Sequence, residues 1–271
     1  MAQVPPNYLL FARTTQGRAV RELFGVLKDV LHEVSLEFDP QGVHIVCLTP
    51  SITCYIHIQL EPDKFETFHC IGKLSLGLHT TNLHKLLKSI ATDDTVTLGV
   101  SREAPHQLEI RVENSKSSTV VQSMLDSLDI DIHSHHVPDL IWPCVMTMPS
   151  VTLNHNCRDL NNLCTDDPRD LVLSVGPARL LTFHLTTMGM SQTITVGETE
   201  TGMQMLAAPT EDGSATFDLK YLIVLTKASA MSKNVEISLG KDMPLRLVYQ
   251  IFHLGRIEMI LAVRAKDDAY K

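Results

Sequence analysis

The chain has 271 residues, of which 44% are hydrophobic and 5% aromatic, and its formal net charge is −8. That length fits two domains of ordinary size, with cores filled by aliphatic side chains. The acidic balance excludes a uniformly basic surface for polyanions and leaves only a local basic face for that role, and no apolar run approaches the roughly 18 residues of a membrane span.

The first predicted strand covers residues 8–13. Residues 16–33 follow as an amphipathic helix, because Val20, Leu23, Phe24, Leu27, Val30 and Leu31 recur at helical spacing. Alternation predicts strands over 35–39, 43–48 and 53–60, with a turn at Pro40-Gln41-Gly42 and a stop at Glu61-Pro62-Asp63. Two short strands fall within 65–78. A second helix is expected over 80–91, turning Leu83, Leu86, Leu87 and Ile90 inward. A hairpin over 95–101 and 107–113 and a strand over 118–125 complete the first half.

Residues 126–143 break the pattern, with four aspartates, three histidines, Val137-Pro138 and the single tryptophan, Trp142. This stretch reads as a linker between a domain over 1–125 and a second over 144–271. The second half repeats the order. A strand over 144–148 precedes a helix over 153–164, then strands over 171–176, 180–187, 191–197 and 203–207. A fourth helix over 219–230 and strands over 234–239, 245–251 and one ending near 263 follow. The plan is α+β, two similar domains of antiparallel sheets with four helices packed on one side.

The two halves also share sequence. Leu86-Leu87-Lys88-Ser89-Ile90-Ala91 returns as Leu225-Thr226-Lys227-Ala228-Ser229-Ala230, about 139 positions later. Val96 and Leu98 keep that offset to Val235 and Ile237. Lys88 and Lys227 therefore survive beside repeated core residues.

Each predicted helix carries a basic stripe opposite its apolar face: Arg18, Arg21 and Lys28; Lys85 and Lys88; His155 and Arg158; Lys220 and Lys227. One such stripe is ordinarily a solvated surface. Four in duplicated positions point to an extended anionic ligand such as duplex DNA, held through phosphates without sequence readout.

Six cysteines, none in a CxxC pair, read as reduced thiols of an intracellular protein. The first residues lack the basic start and apolar core of a secretory leader. There is no glycine-rich phosphate loop, nucleophile elbow or HExxH, so no enzyme and no cofactor is expected. His133, His135 and His136 are the one metal candidate, but three imidazoles so close in sequence rarely converge on one ion, and a solvated, pH-sensitive loop is the expected state.

In order and spacing, Gln16-Gly17, Leu27-Lys28-Asp29, Leu86-Leu87-Lys88, Met148-Pro149-Ser150, Cys157-Arg158-Asp159-Leu160, Leu219-Lys220-Tyr221-Leu222, Thr226-Lys227-Ala228 and Met243-Pro244-Leu245 match one family. Over nearly its whole length the chain resembles the eukaryotic DNA sliding clamp, the proliferating cell nuclear antigen family, as a diverged member.

The resemblance implies a head-to-tail homotrimeric ring around double-stranded DNA, acting as a polymerase processivity factor in replication and repair. It implies a channel lined by Arg18, Arg21, Lys28, Lys85, Lys88, Arg158, Lys220 and Lys227. It implies ring closure by strand pairing, with Thr119, Val121 and Ser123 of one copy against Gln192, Ile194 and Val196 of the next. It implies that polymerase, clamp loader and other clients insert a short 3₁₀ peptide into a groove formed by Leu48, Ile52, Tyr55, Val137, Pro138, Pro244, Ala262 and Val263. The expected location is the nucleus, or a viral replication compartment.

The chain departs from the family pattern in places. Glu22 stands where the family has a second lysine, His155 where arginine is common, and Ile52-Thr53 where a histidine-valine pair is usual. Gly176-Pro177-Ala178 occupies the stretch where the family carries its ubiquitin-acceptor lysine. A subunit of a heterotrimeric checkpoint-type clamp is the alternative within the same ring plan.

Overall fold

The computed structural model describes residues 5–49, 51–114, 116–130, 140–164 and 169–264. The chain divides into two units, one built from residues 1–50, 56–136 and 250–257, the other from 51–55, 137–249 and 258–271.

The first unit begins with β1 (Tyr8–Thr14), whose Leu10, Ala12 and Thr14 alternate inward. Helix α1 (Gly17–Val30) buries Val20, Leu23, Phe24 and Leu27 along one stripe. It ends three residues before the sequence expectation. Leu31 turns extended, with its N–H still on the Leu27 carbonyl at 2.8 Å, because Glu33 is taken into β2 (Glu33–Asp39). There β2 pairs with β6 (Leu74–His79), setting Glu33 opposite His79.

Between them lie β3 (Gly42–Leu48), β4 (Cys54–Leu60) and β5 (Thr67–Cys70). Helix α2 (Thr80–Leu87) is shorter than expected, since its chain closes into a turn with the Ile90 N–H on the Leu87 carbonyl. Strands β7 (Thr95–Ser101), β8 (Gln107–Asn114) and β9 (Thr119–Asp126) follow. One sheet runs β5-β1-β7-β8-β9, and a second run of strands has the order β4-β3-β2-β6.

The second unit repeats the plan. β10 (Cys144–Pro149) leads into α3 (Ser150–Asn161), which begins and ends three residues before its expected bounds and buries Leu153, Cys157 and Leu160. Next come β11 (Asp170–Val175), β12 (Leu180–Thr187), β13 (Met190–Gly197), β14 (Gln204–Ala207) and β15 (Gly213–Asp218). β15 was not expected from sequence. It turns Gly213, Ala215 and Phe217 inward, and the first two are too small to show an apolar alternation.

Helix α4 (Leu219–Leu225) starts at Asp218, whose carboxylate accepts the Lys220 N–H at 2.9 Å, a side-chain N-cap. The helix predicted to 230 gives way to a 3₁₀ turn over Thr226–Ala230. Strands β16 (Asn234–Leu239), β17 (Leu245–Ile251) and β18 (Gly255–Leu261) complete the set. The sheets run β13-β12-β11-β15 and β14-β10-β16-β17, antiparallel in every recorded register.

The internal repeat falls on equivalent places. Lys88 is the C-cap of α2 and Lys227 follows α4, both exposed. Val96 and Val235 are fully buried on β7 and β16.

Candidate functional site

The basic residues predicted for DNA lie on the solvent sides of the helices, but not all are equally available. In the first unit, Arg18 is exposed with its guanidinium 5.5 Å from the centre of the Phe252 ring, an arrangement that fixes a cation without neutralising it. Arg21 donates to the Ile90 carbonyl and, at 2.8 Å, to Glu22. Lys28 pairs with Asp29 at 2.6 Å. Lys85 and Lys88 are exposed and make no ion pair among the described residues.

His84 shows that the two basic edges meet. Burial against α1 and the nearby ammonium groups of Lys28 and Lys88 push its pKa below the ordinary imidazole value, with Asp29 and Glu22 opposing. Lys28 from α1 and Lys88 from α2 therefore act on one small region, and the neutral imidazole between them adds no charge of its own.

In the second unit, Arg158 of α3, Lys220 of α4 and Lys227 of the 3₁₀ turn are exposed. His155 lies 3.4 Å from Asp159, one turn on, so its protonated form would be paired on the helix surface.

The residues predicted for the peptide groove divide by unit. Leu48 is half-buried at the end of β3 in the first unit. In the second, Ile52 is 74% exposed and has φ +56°, a left-handed backbone that a β-branched residue adopts only under strain. It is braced on both sides. The Ser51 hydroxyl bonds Tyr221 at 2.6 Å and Thr53 at 2.5 Å, and the Ala262 N–H donates to the Thr53 carbonyl at 2.8 Å. Tyr55 and Val263 are half-buried, and Ala262 is exposed.

Pro244 brings in residues that the sequence reading did not assign. Its carbonyl accepts the Trp142 indole N–H at 2.8 Å. The Arg246 guanidinium lies 5.6 Å from the Trp142 ring and pairs with Glu236 at 2.6 Å and with Glu258. The only sequence signal for this anchor was a lone tryptophan at the end of the linker. Val137, Pro138, His133, His135 and His136 lie outside the described residues.

The residues predicted for ring closure sit on strands at sheet ends. Among the described residues, β9 pairs only with β8, and β13 only with β12, so each leaves one row of backbone groups open there. On β9, Thr119 and Val121 are exposed and Ser123 half-buried, and Val120, Val121 and Met124 are 54%, 53% and 53% exposed. On β13, Gln192, Ile194 and Val196 share one half-buried face.

Comparison with known proteins follows the same outline. Family models for the N-terminal and C-terminal domains of proliferating cell nuclear antigen match residues 9–136 and 136–264. A protein of Paramecium bursaria Chlorella virus 1 described as a probable DNA polymerase sliding clamp is 29% identical over 260 residues, covering 94% of this chain and 97% of that relative. The crystal structure of the proliferating cellular nuclear antigen of Entamoeba histolytica superposes with a TM-score of 0.86 at 19% identity, over 95% of this chain and 100% of that one, a likeness of fold. With two duplicated units, repeated basic helices and both family domains matched in order, the chain belongs to the proliferating cell nuclear antigen family of DNA sliding clamps.

Proposed function

We propose that this protein is a polymerase processivity factor, not an enzyme, that works as a ring of three copies around duplex DNA. The observation that carries this reading is the repeated basic helix surface. Lys85 and Lys88 in one unit, and Arg158, Lys220 and Lys227 in the other, are exposed opposite buried helix faces.

Duplex DNA presents about one negative charge per ~1.7 Å of axis, so a few similar phosphate contacts at every rotation favour sliding over fixed binding. Lys28 and Arg21 are partly neutralised by Asp29 and Glu22, which supports looser contact along α1. Processivity then comes from encirclement, not from affinity.

Ring closure by β9 of one copy on β13 of the next would satisfy both open edges. The contact is heterologous and closes by rotation. Clients would dock beside Ile52, Tyr55, Pro244, Ala262 and Val263 of the second unit. Such a role belongs where genomes are copied, in the nucleus or a viral replication compartment.

The test is mass by light scattering followed by primer extension on a closed circular template. A homotrimer of 30.2 kDa chains has a mass of roughly 90 kDa. A species of that mass that lengthens polymerase products supports the proposal. A persistent monomer favours a heterotrimeric clamp subunit instead, and a trimer without stimulation overturns the processivity role.

A further inference from the structure

The outer face of the sheet β13-β12-β11-β15 holds a cavity of about 380 Å³ that neither the DNA surface nor the peptide groove uses. Register explains why it exists. Ser174 on β11 lies directly opposite Thr182 on β12 and Ser214 on β15, which makes a row of three hydroxyl residues across neighbouring strands. Two residues further along β11, past its end, stands Gly176, with Leu180 and Asp212 lining the cavity on its two sides. The central position of that second row has no side chain, and the hole it leaves is the floor of the cavity.

Asp212 leans into this hole. A Cβ at residue 176 would lie 2.0 Å from an Asp212 Oδ1, so the carboxylate occupies space that only glycine leaves open. The lining holds no cation. The guanidinium of Arg179, on the adjoining turn, is taken by Glu198 through two hydrogen bonds. Among the described residues, neither the Asp212 carboxylate nor the hydroxyls of Ser174, Thr182 and Ser214 make a hydrogen bond or ion pair.

We propose that this cavity is a docking site for a lysine side chain of a partner protein. An ammonium has three N–H donors, and Asp212, Ser174 and Ser214 supply three acceptors beside the hole. Leu180, 42% exposed, supplies an apolar wall for the alkyl stem. An anion has no cation in this lining, since Lys241 lines only the neighbouring cavity that shares Asp212 and Gly213, and a neutral apolar group would leave the carboxylate desolvated and unpaired. A guanidinium is planar and must find its acceptors in that one plane, whereas an ammonium directs its three donors out of plane, toward a carboxylate in one row and hydroxyls in the next. The proposal is independent of the DNA and client-peptide reading.

The experiment is a heteronuclear NMR titration of the full-length protein with Nα-acetyl-lysine methylamide, following the backbone amides around Gly176 and Gly213. Controls are the Nε-acetylated analogue, spermidine and the variant Asp212→Asn. The expected result is a shift centred on these residues at about 10 mM ligand, abolished by Nε-acetylation and weakened about tenfold or more by Asp212→Asn, the size of one charge-assisted hydrogen bond. No shift, an equal shift with the acetylated analogue, or undiminished binding to the variant overturns the proposal. Spermidine binding more tightly than the lysine derivative overturns the lysine assignment in favour of a free polyamine.

Discussion

Arg21 reaches from α1 to the carbonyl of Ile90, in the turn that closes α2, and the same guanidinium holds Glu22. A residue expected to touch phosphate thus joins the two helices that carry the basic surface of the first unit. Arg21→Ala should therefore lower stability by about 1–2 kcal/mol, the cost of a lost hydrogen bond and an orphaned carbonyl. Lys85→Ala, on an exposed side chain, should leave stability within about 0.5 kcal/mol. Denaturant melts of the two variants, read beside DNA affinity, separate the roles. Equal stability loss in both would remove the distinction.

The combined variant Lys85→Ala, Lys88→Ala, Arg158→Ala and Lys227→Ala should keep its assembly mass yet fail to stimulate a polymerase. The cores beneath these side chains are untouched, with Leu83, Leu87, Leu153 and Cys157 at most 3% exposed. The salt dependence of binding to duplex DNA should flatten as well, since each phosphate contact contributes about 0.9 to the slope of log K against log salt. An intact mutant assembly with full stimulation would refute the assignment of the basic surface.

In the core of the second unit, the Tyr249 hydroxyl is fully buried and has no hydrogen-bond partner among the described residues, next to the Cys157 thiol. Burial pushes the Tyr249 phenol far above its ordinary pKa, and it pushes the Cys157 thiol up to about 12, so both stay neutral at physiological pH. Removing an unpaired buried hydroxyl costs nothing in hydrogen bonds and relieves its desolvation. Tyr249→Phe is expected to hold or raise the unfolding midpoint, with a gain of up to about 1–2 kcal/mol. A loss above about 1 kcal/mol would mean that the hydroxyl has a partner, such as a buried water.

The sequence made the buried faces legible and left the ends and ties obscure, for physical reasons. The stripe Val20, Leu23, Phe24 and Leu27 could be read because burying one helix face imposes its period on the chain. The end of α1 could not, since it depends on Glu33 being taken into a strand opposite His79, a partner far along the sequence. β15 escaped because Gly213 and Ala215 face inward without an apolar signature.

Within the candidate site, which residues are basic was plain from composition and spacing. Which of them are spent was not. The acceptor of Arg21 is a backbone carbonyl 69 positions away, and no side-chain pattern announces it. The anchoring of Trp142 on the Pro244 carbonyl and against Arg246 was hidden for the same reason.

Ile52 offers a test in which stability and binding move in opposite directions. The left-handed conformation costs a residue with a Cβ about 1–2 kcal/mol, more for a branched side chain. Here it is imposed by the Ser51–Tyr221 and Ser51–Thr53 bonds. Strain of this kind persists where the surroundings over-determine it, and it raises an apolar side chain that is 74% exposed. Ile52→Gly removes both strain and side chain. Relief at positive φ offsets the larger entropy of the unfolded glycine chain, so the unfolding midpoint should hold or rise. Affinity for a peptide that presents aromatic and aliphatic anchors on a 3₁₀ turn should fall about tenfold, the worth of burying one aliphatic side chain in part against the peptide. Ile52→Ala keeps the strain but removes the aliphatic wall, so it should weaken binding without gaining stability. Calorimetric titration with each variant, paired with thermal melts, reads both effects. If peptide affinity is unchanged in both variants, Ile52 is a strained turn residue and not a wall of the groove. If the glycine variant is destabilised, the bonds from Ser51 stabilise a backbone that Ile52 itself helps to hold.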